Sequence, residues 1–156
     1  MSSASRAFPL ICVRGTIGHD HAVTVVKSAG VPVLDRGSGI TTIPLISRDS
    51  DSTAAITTGI STYPAGTGAP LHVHNCDEQV TILEGRGEVE IEGAVTPLLP
   101  YDSTYIPAGQ AHAFRNVGDE ALMILWIYPT QDVTRTLLST GKTVAHLSGD
   151  DAMGAR

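Results

Sequence analysis

Up to about residue 131 no stretch of this chain repeats apolar residues at helical spacing; short runs rich in Ile, Val and Thr alternate instead with clusters of Gly, Pro, Asn and Asp. Such a pattern suits pleated, half-buried strands separated by turns, so the chain is expected to be all-β, in a closed or double-sheet form that leaves few free edges. Residues 40–46, 53–63, 79–83, 88–92, 104–106 and 111–115 read as strands, and residues 84–87 as the turn that folds 79–83 and 88–92 into a hairpin. Residues 8–13 read as an edge strand before a loop at 15–20, and residues 23–27 are β-branched. Residues 121–128 are almost continuously apolar, which predicts a strand covered on both faces. Residues 132–139 fit either a short helix or a strand, 143–147 a last strand, and 150–156 a mobile tail.

At 156 residues, the chain has the length of one domain. We expect residues 1–50 to form an N-terminal extension whose strands pack on the barrel or a partner subunit, 51–130 the barrel core, and 131–156 a C-terminal extension. A formal net charge of -6 supplies no basic stripe for phosphate, which argues against nucleic acid as a partner. The longest apolar run, 121–128, falls well short of the about 20 residues that span a bilayer, so no membrane partner is expected. The start of the chain lacks a signal peptide's charged and apolar regions, and Cys12 and Cys76 allow at most one disulfide; both point to the cytoplasm.

The chemistry concentrates in His72, His74, Glu78 and His112. Alternate residues of a strand share a face, so His72 and His74 present two imidazoles to one point, and Glu78 keeps that parity if the strand runs on or kinks once. His112 follows on a later strand and joins them only if the sheet closes on itself. Three neutral imidazoles and a carboxylate suit one divalent transition metal, Fe, Mn, Ni, Co or Zn, and leave up to two octahedral positions free. Cys76 has the same parity as the two histidines and is a weaker candidate ligand. His19 and His21, on either side of Asp20, form a second His-x-His pair without a third partner and read as solvated loop, as does His146.

Gly66-Thr-Gly-Ala-Pro-Leu-His72-Val-His74-Asn-Cys-Asp-Glu78, followed after six residues by Gly85, resembles the first motif of the cupin superfamily, and Pro107-Ala-Gly109-Gln-Ala-His112-Ala-Phe-Arg-Asn116 resembles the second. One position departs: Tyr101 stands where the second motif has a turn glycine. Over residues 56–128 the resemblance is to small single-domain members, or monocupins. It implies a double-stranded β-helix, or jelly roll, with a metal near its axis held by His72, His74, Glu78 and His112. It also places Cys76 in the bend before the ligand Glu78. Tyr101 is expected either to adopt a strained backbone or to remodel the turn with Pro100 and Asp102.

An unsaturated metal of this kind suits an enzyme acting on a small, oxygen-rich acid, enolisable or catecholic, with dioxygenase chemistry slightly ahead of redox-neutral isomerase, cyclase or decarboxylase reactions. Glu78 would complete the shell or swing away as general base. Phe114, Tyr63, Tyr105, Trp126 and Tyr128 are candidates for the pocket wall, Phe114 foremost because it shares the parity of His112. The other reading is a binding module that holds a metal or small acid without turnover. The β-branched runs at 23–26 and 40–46 have no place in a minimal barrel and predict a homodimer.

Overall fold

The computed structural model describes residues 24–153; the expected strand at residues 8–13 and the His19/His21 pair lie outside them. After a short 3-10 turn at Ser28–Gly30 the chain forms β1 (Leu34–Asp35), β2 (Thr41–Ile46), β3 (Thr57–Tyr63), β4 (His72–His74), β5 (Glu78–Glu84) and β6 (Gly87–Ile91). It continues through β7 (Ala94–Leu98), β8 (Ser103–Ile106), β9 (His112–Asn116), β10 (Leu122–Tyr128), β11 (Thr134–Leu137) and β12 (Thr143–Ala145). These build two antiparallel six-stranded sheets, ordered β1-β2-β3-β10-β5-β8 and β12-β11-β4-β9-β6-β7, which face each other as a jelly roll. The N-terminal strands lengthen one sheet, and the C-terminal pair lengthens the other at β4.

Strand alternation fills the space between the sheets. On β10, Leu122, Ile124, Trp126 and Tyr128 are buried while Met123, Leu125 and Ile127 are half-buried, so the strand expected to be covered on both faces has one sealed face and one partly open face. Each fully buried side chain of this size contributes about 1.5–3 kcal/mol. Trp126 pairs with Gly59 on β3, where an added Cβ would sit 2.3 Å from the indole ring; the glycine makes room for the ring, and the indole N–H donates to Ser61 Oγ at 3.0 Å.

The expected hairpin of residues 79–83 and 88–92 does not form. β5 and β6 belong to different sheets, β5 between β10 and β8 and β6 between β9 and β7. Gly85, at φ +84 and close against the Ala121 carbonyl, turns the chain across the barrel instead of back on itself. The hairpin is β6–β7, closed by Glu92 and Gly93, both at positive φ as the tight two-residue turn requires. Residues 24–27, expected as part of a strand, are irregular, and residues 134–137 resolve the helix-or-strand ambiguity in favour of strand.

Tyr101 adopts the left-handed backbone that a glycine would take, at φ +75. Its ring is largely exposed, its N–H donates to Ile82 O at 2.8 Å, and the Asp102 carboxylate caps the Leu99 N–H at 2.8 Å. The turn therefore keeps the glycine geometry and carries the strain of a Cβ. Tyr101→Gly is expected to raise stability by about 1 kcal/mol, part of the relief being offset by the looser unfolded chain, and a urea melt checks it.

The segment expected to be a mobile tail is instead anchored through residue 153. Asp151 is buried, and its carboxylate accepts hydrogen bonds from Arg36 Nη2 and, at 2.9 Å, from the Leu147 N–H, while forming an ion pair with Arg135 Nη2. Arg36 Nε donates to Asp151 O at 2.8 Å, the Met153 N–H donates to Arg36 O at 2.8 Å, and Tyr63 OH lies 3.3 Å from Met153 Sδ. Burial alone would raise the Asp151 pKa, but His146, Arg135 and Arg36 together hold the carboxyl far below the usual carboxylate range. Its stabilising effect is therefore complete above the unfolded-state value near 4 and is lost as pH falls toward the folded one. Asp151→Asn is expected to cost about 3–5 kcal/mol at neutral pH and to flatten the loss of stability below pH about 4, as read by thermal melts across pH.

Candidate metal centre

β4 points His72 and His74 into the barrel and Val73 outward, and β9 sets His112 directly beside His72. After His74 the chain crosses to the opposite sheet, where Glu78 opens β5. The carboxylate thus meets the imidazoles from the facing sheet, not along one continued strand face as the parity argument had it. All four side chains are buried, and one nitrogen from each histidine lies within 4.8 Å of those of the other two.

The hydrogen bonds fix which imidazole nitrogen carries the proton. His72 Nδ1 lies 2.6 Å from Pro70 O, His74 Nδ1 2.8 Å from Thr134 O, and His112 Nδ1 2.8 Å from Gln110 O. A carbonyl only accepts, so each Nδ1 is the N–H donor, and in the neutral ring each Nε2 carries a lone pair. His72 Nε2 and His74 Nε2 then face each other at 3.2 Å, lone pair to lone pair. His112 Nε2 and Glu78 Oε2 stand 2.8 Å apart without the alignment of a hydrogen bond, both buried. The facing lone pairs of His72 and His74 repel unless a cation joins them. Burial lowers the His112 pKa, but the adjoining Glu78 carboxylate outweighs it and raises it, so without an ion that contact favours a proton on Nε2. The backbone carbonyl behind each imidazole is the usual support of a metal-bound histidine. The residues present fit a divalent transition metal.

Burial, reinforced by the fields of His112 and His74, holds His72 well below the ordinary histidine value. Burial likewise brings His74 down to about 4, so both rings stay neutral and free to ligate. For Glu78, burial pushes upward, but the contact with His112 leads the causes that bring the carboxyl to about 2. Tyr128 OH donates to Glu78 Oε1 at 2.6 Å and lies 3.1 Å from His74 Nε2. Burial and the adjoining carboxylate keep that phenol protonated far above neutrality. Cys76 is half-buried and outside the cluster of imidazole ligand atoms; burial, Glu78 and Asp77 raise its thiol to about 11, so it offers no thiolate.

A cavity of about 20 Å³ adjoins the cluster, and Tyr63, Phe114 and Trp126 line it. Tyr105 does not. It lies on the edge strand β8, out of phase with the inward Ile106; its ring is 65 % exposed and its hydroxyl donates to Asp77 Oδ2 at 2.6 Å. His146, expected in a solvated loop, packs its ring 5.0 Å from those of both Trp126 and Tyr128, and 5.9 Å from that of His74. It also borders a larger, mainly apolar cleft of about 690 Å³ running along residues 25–34 and 44–50; His146 is common to cleft and cavity. Arg135 lines the cavity too. Tyr128, also expected in the wall, lines the cavity as well; nothing local in the sequence marks Arg135 or His146.

The architecture is a jelly roll with three inward histidines and a glutamate on paired and facing strands that could hold one metal ion. Residues 59–128 match the family model described as a cupin domain. Over 90 residues it is 36 % identical to 1-methylthio-D-xylulose 5-phosphate methylsulfurylase of Rhodospirillum rubrum, covering 58 % of this chain and 57 % of that one. Over 57 residues it is 39 % identical to 5-nitrosalicylic acid 1,2-dioxygenase of a Bradyrhizobium species, covering 36 % of this chain and 28 % of the relative. The match therefore spans less than two thirds of either relative. Among solved structures, KdgF from a Halomonas species superposes with a TM-score of 0.61 at 20 % identity, over 71 % of this chain and 97 % of that one.

His72→Ala and His112→Ala are each expected to abolish stoichiometric metal, as read by elemental analysis of the purified protein. Tyr128→Phe keeps the ligands but removes the donor to Glu78, and is expected to weaken metal affinity about tenfold in a chelator competition titration.

Proposed function

We propose that this protein is a metal-dependent enzyme acting on a small, oxygen-rich acid, enolisable or catecholic, with dioxygenase chemistry ahead of redox-neutral isomerisation, cyclisation or decarboxylation. The observation that carries the reading is the convergence of three buried imidazoles, each held at Nδ1 by a backbone carbonyl, with the Glu78 carboxylate against His112. His72, His74, His112 and Glu78 would hold Fe, Mn, Ni, Co or Zn. When bound, such an ion supplies Lewis acidity, or oxygen activation if it is iron. Glu78 accepts the Tyr128 hydroxyl at Oε1 and meets His112 at Oε2; a carboxylate so placed can serve as general base when a substrate arrives. Phe114, Trp126 and Tyr63 keep bulk water from the reacting atoms. The name of the Bradyrhizobium relative, a dioxygenase of 5-nitrosalicylic acid, supports the dioxygenase preference.

Elemental analysis of protein purified without added metal, then oxygen consumption by the Fe(II)-loaded protein with a panel of enolisable and catecholic acids, tests the reading. Uptake with at least one acid is expected. Product formation without oxygen uptake would establish the redox-neutral alternative, and metal binding without turnover on any acid would establish a binding module.

We also infer that two copies pair. Ile43, Ile60 and Leu125 lie in one register row across the β2-β3-β10 sheet, on the half-buried outer face, an apolar stripe that a second copy would cover. Light scattering at micromolar concentration is expected to return a dimer mass, and Leu125→Glu a monomer.

A further inference from the structure

Arg135 stands out among the residues the metal chemistry does not use. It lies on β11 in register with His74 of β4, so the two side chains share the inward face of the sheet. It is 2 % exposed and forms part of the wall of the metal cavity. Its Nη2 is engaged by Asp151 and donates to Ala152 O at 2.7 Å, but its Nε–H is buried with no partner. A buried guanidinium N–H left unpaired is costly, and on a residue that lines a cavity it marks a place for an acceptor.

The charge balance points the same way. Among the described residues, the buried side chains that carry charge, histidines apart, are Arg36, Arg135, Glu78 and Asp151, two cations against two anions. Once Glu78 is committed to a divalent ion, the interior carries two positive charges in excess, which a low-dielectric site tolerates only with an added anion.

We propose that Arg135 is the anchor for a carboxylate of the ligand: a small carboxylic acid places oxygen on the metal and its charge against Arg135 Nε. This rests on the metal-centre reading above and names the group that selects for an acid. Asp151 holds the far side of the guanidinium and so orients it. Room comes from Met153, an unbranched thioether in the cavity wall tied only by the weak contact with Tyr63 OH. Arg36 makes a similar tie to Asp151 but is absent from the cavity wall, so anchoring the chain end does not require Arg135's position.

The test uses the full chain loaded with cobalt(II), with visible absorption reporting ligand binding at the metal and two probes compared: oxalate, an anion, and imidazole, a neutral ligand. Arg135→Met is expected to weaken oxalate about tenfold or more while changing imidazole affinity less than about twofold. Arg135→Lys keeps the charge beside Asp151 and guards against a folding failure; it loses the planar donor and is expected to weaken oxalate about threefold, again selectively. A parallel loss for both probes, no loss for either, or wild-type protein that binds imidazole but not oxalate would overturn the anchor and leave the metal centre standing. Failure of the wild type to take up cobalt would overturn the metal centre, and the anchor with it.

Discussion

The structure turns on three N–H to carbonyl contacts. His72, His74 and His112 each spend their Nδ1 proton on a backbone oxygen, and this turns their Nε2 atoms inward. Two of the three carbonyls, Pro70 and Gln110, belong to the residue two positions before the histidine, in the loop that leads into its strand; the third, Thr134, comes from neighbouring β11. Loop geometry and strand pairing thus converge on a cluster in which the facing lone pairs of His72 and His74 repel one another. The barrel's apolar packing has to hold them against that repulsion, and a cation converts the repulsion into coordination.

What was legible in the sequence is what local rules govern. Alternation put His72 and His74 on one face, and the two motifs supplied Glu78 and His112 from strands that only barrel closure brings near. For Tyr105 aromatic character was the only signal, and that does not say which face a residue takes; on the short β8 the inward residue is its neighbour Ile106. The hairpin at residues 84–87 failed for a different reason. Turn chemistry says that the chain reverses, but whether it folds onto its own strand or crosses to the opposite sheet depends on the long-range partners of β5 and β6. β7 was missed because four of its five residues are exposed and one is Pro97, which an edge strand tolerates without showing an apolar pattern.

The C-terminal segment was misread because its order comes from charge. Residues 148–153 offer few apolar side chains, and by hydrophobicity alone they resemble a frayed end. Asp151 reverses that by closing a buried pair with two arginines distant in sequence, Arg36 and Arg135. No periodicity announces such a contact: each partner taken singly is an ordinary polar residue on the surface of its own segment.

That same cluster joins stability to the site. Arg135 and His146 both meet Asp151, and both stand in the wall of the metal cavity. Met153, two residues on, fills part of that wall and is tied to Arg36 by its own N–H. The motif strands therefore hold the candidate metal ligands, while residues outside both motifs, drawn in by one buried carboxylate, shape the space a ligand would enter. Proteins sharing the four ligands can then differ in what they accept through this wall alone, because changes there leave the imidazole tethers to Pro70, Gln110 and Thr134 untouched.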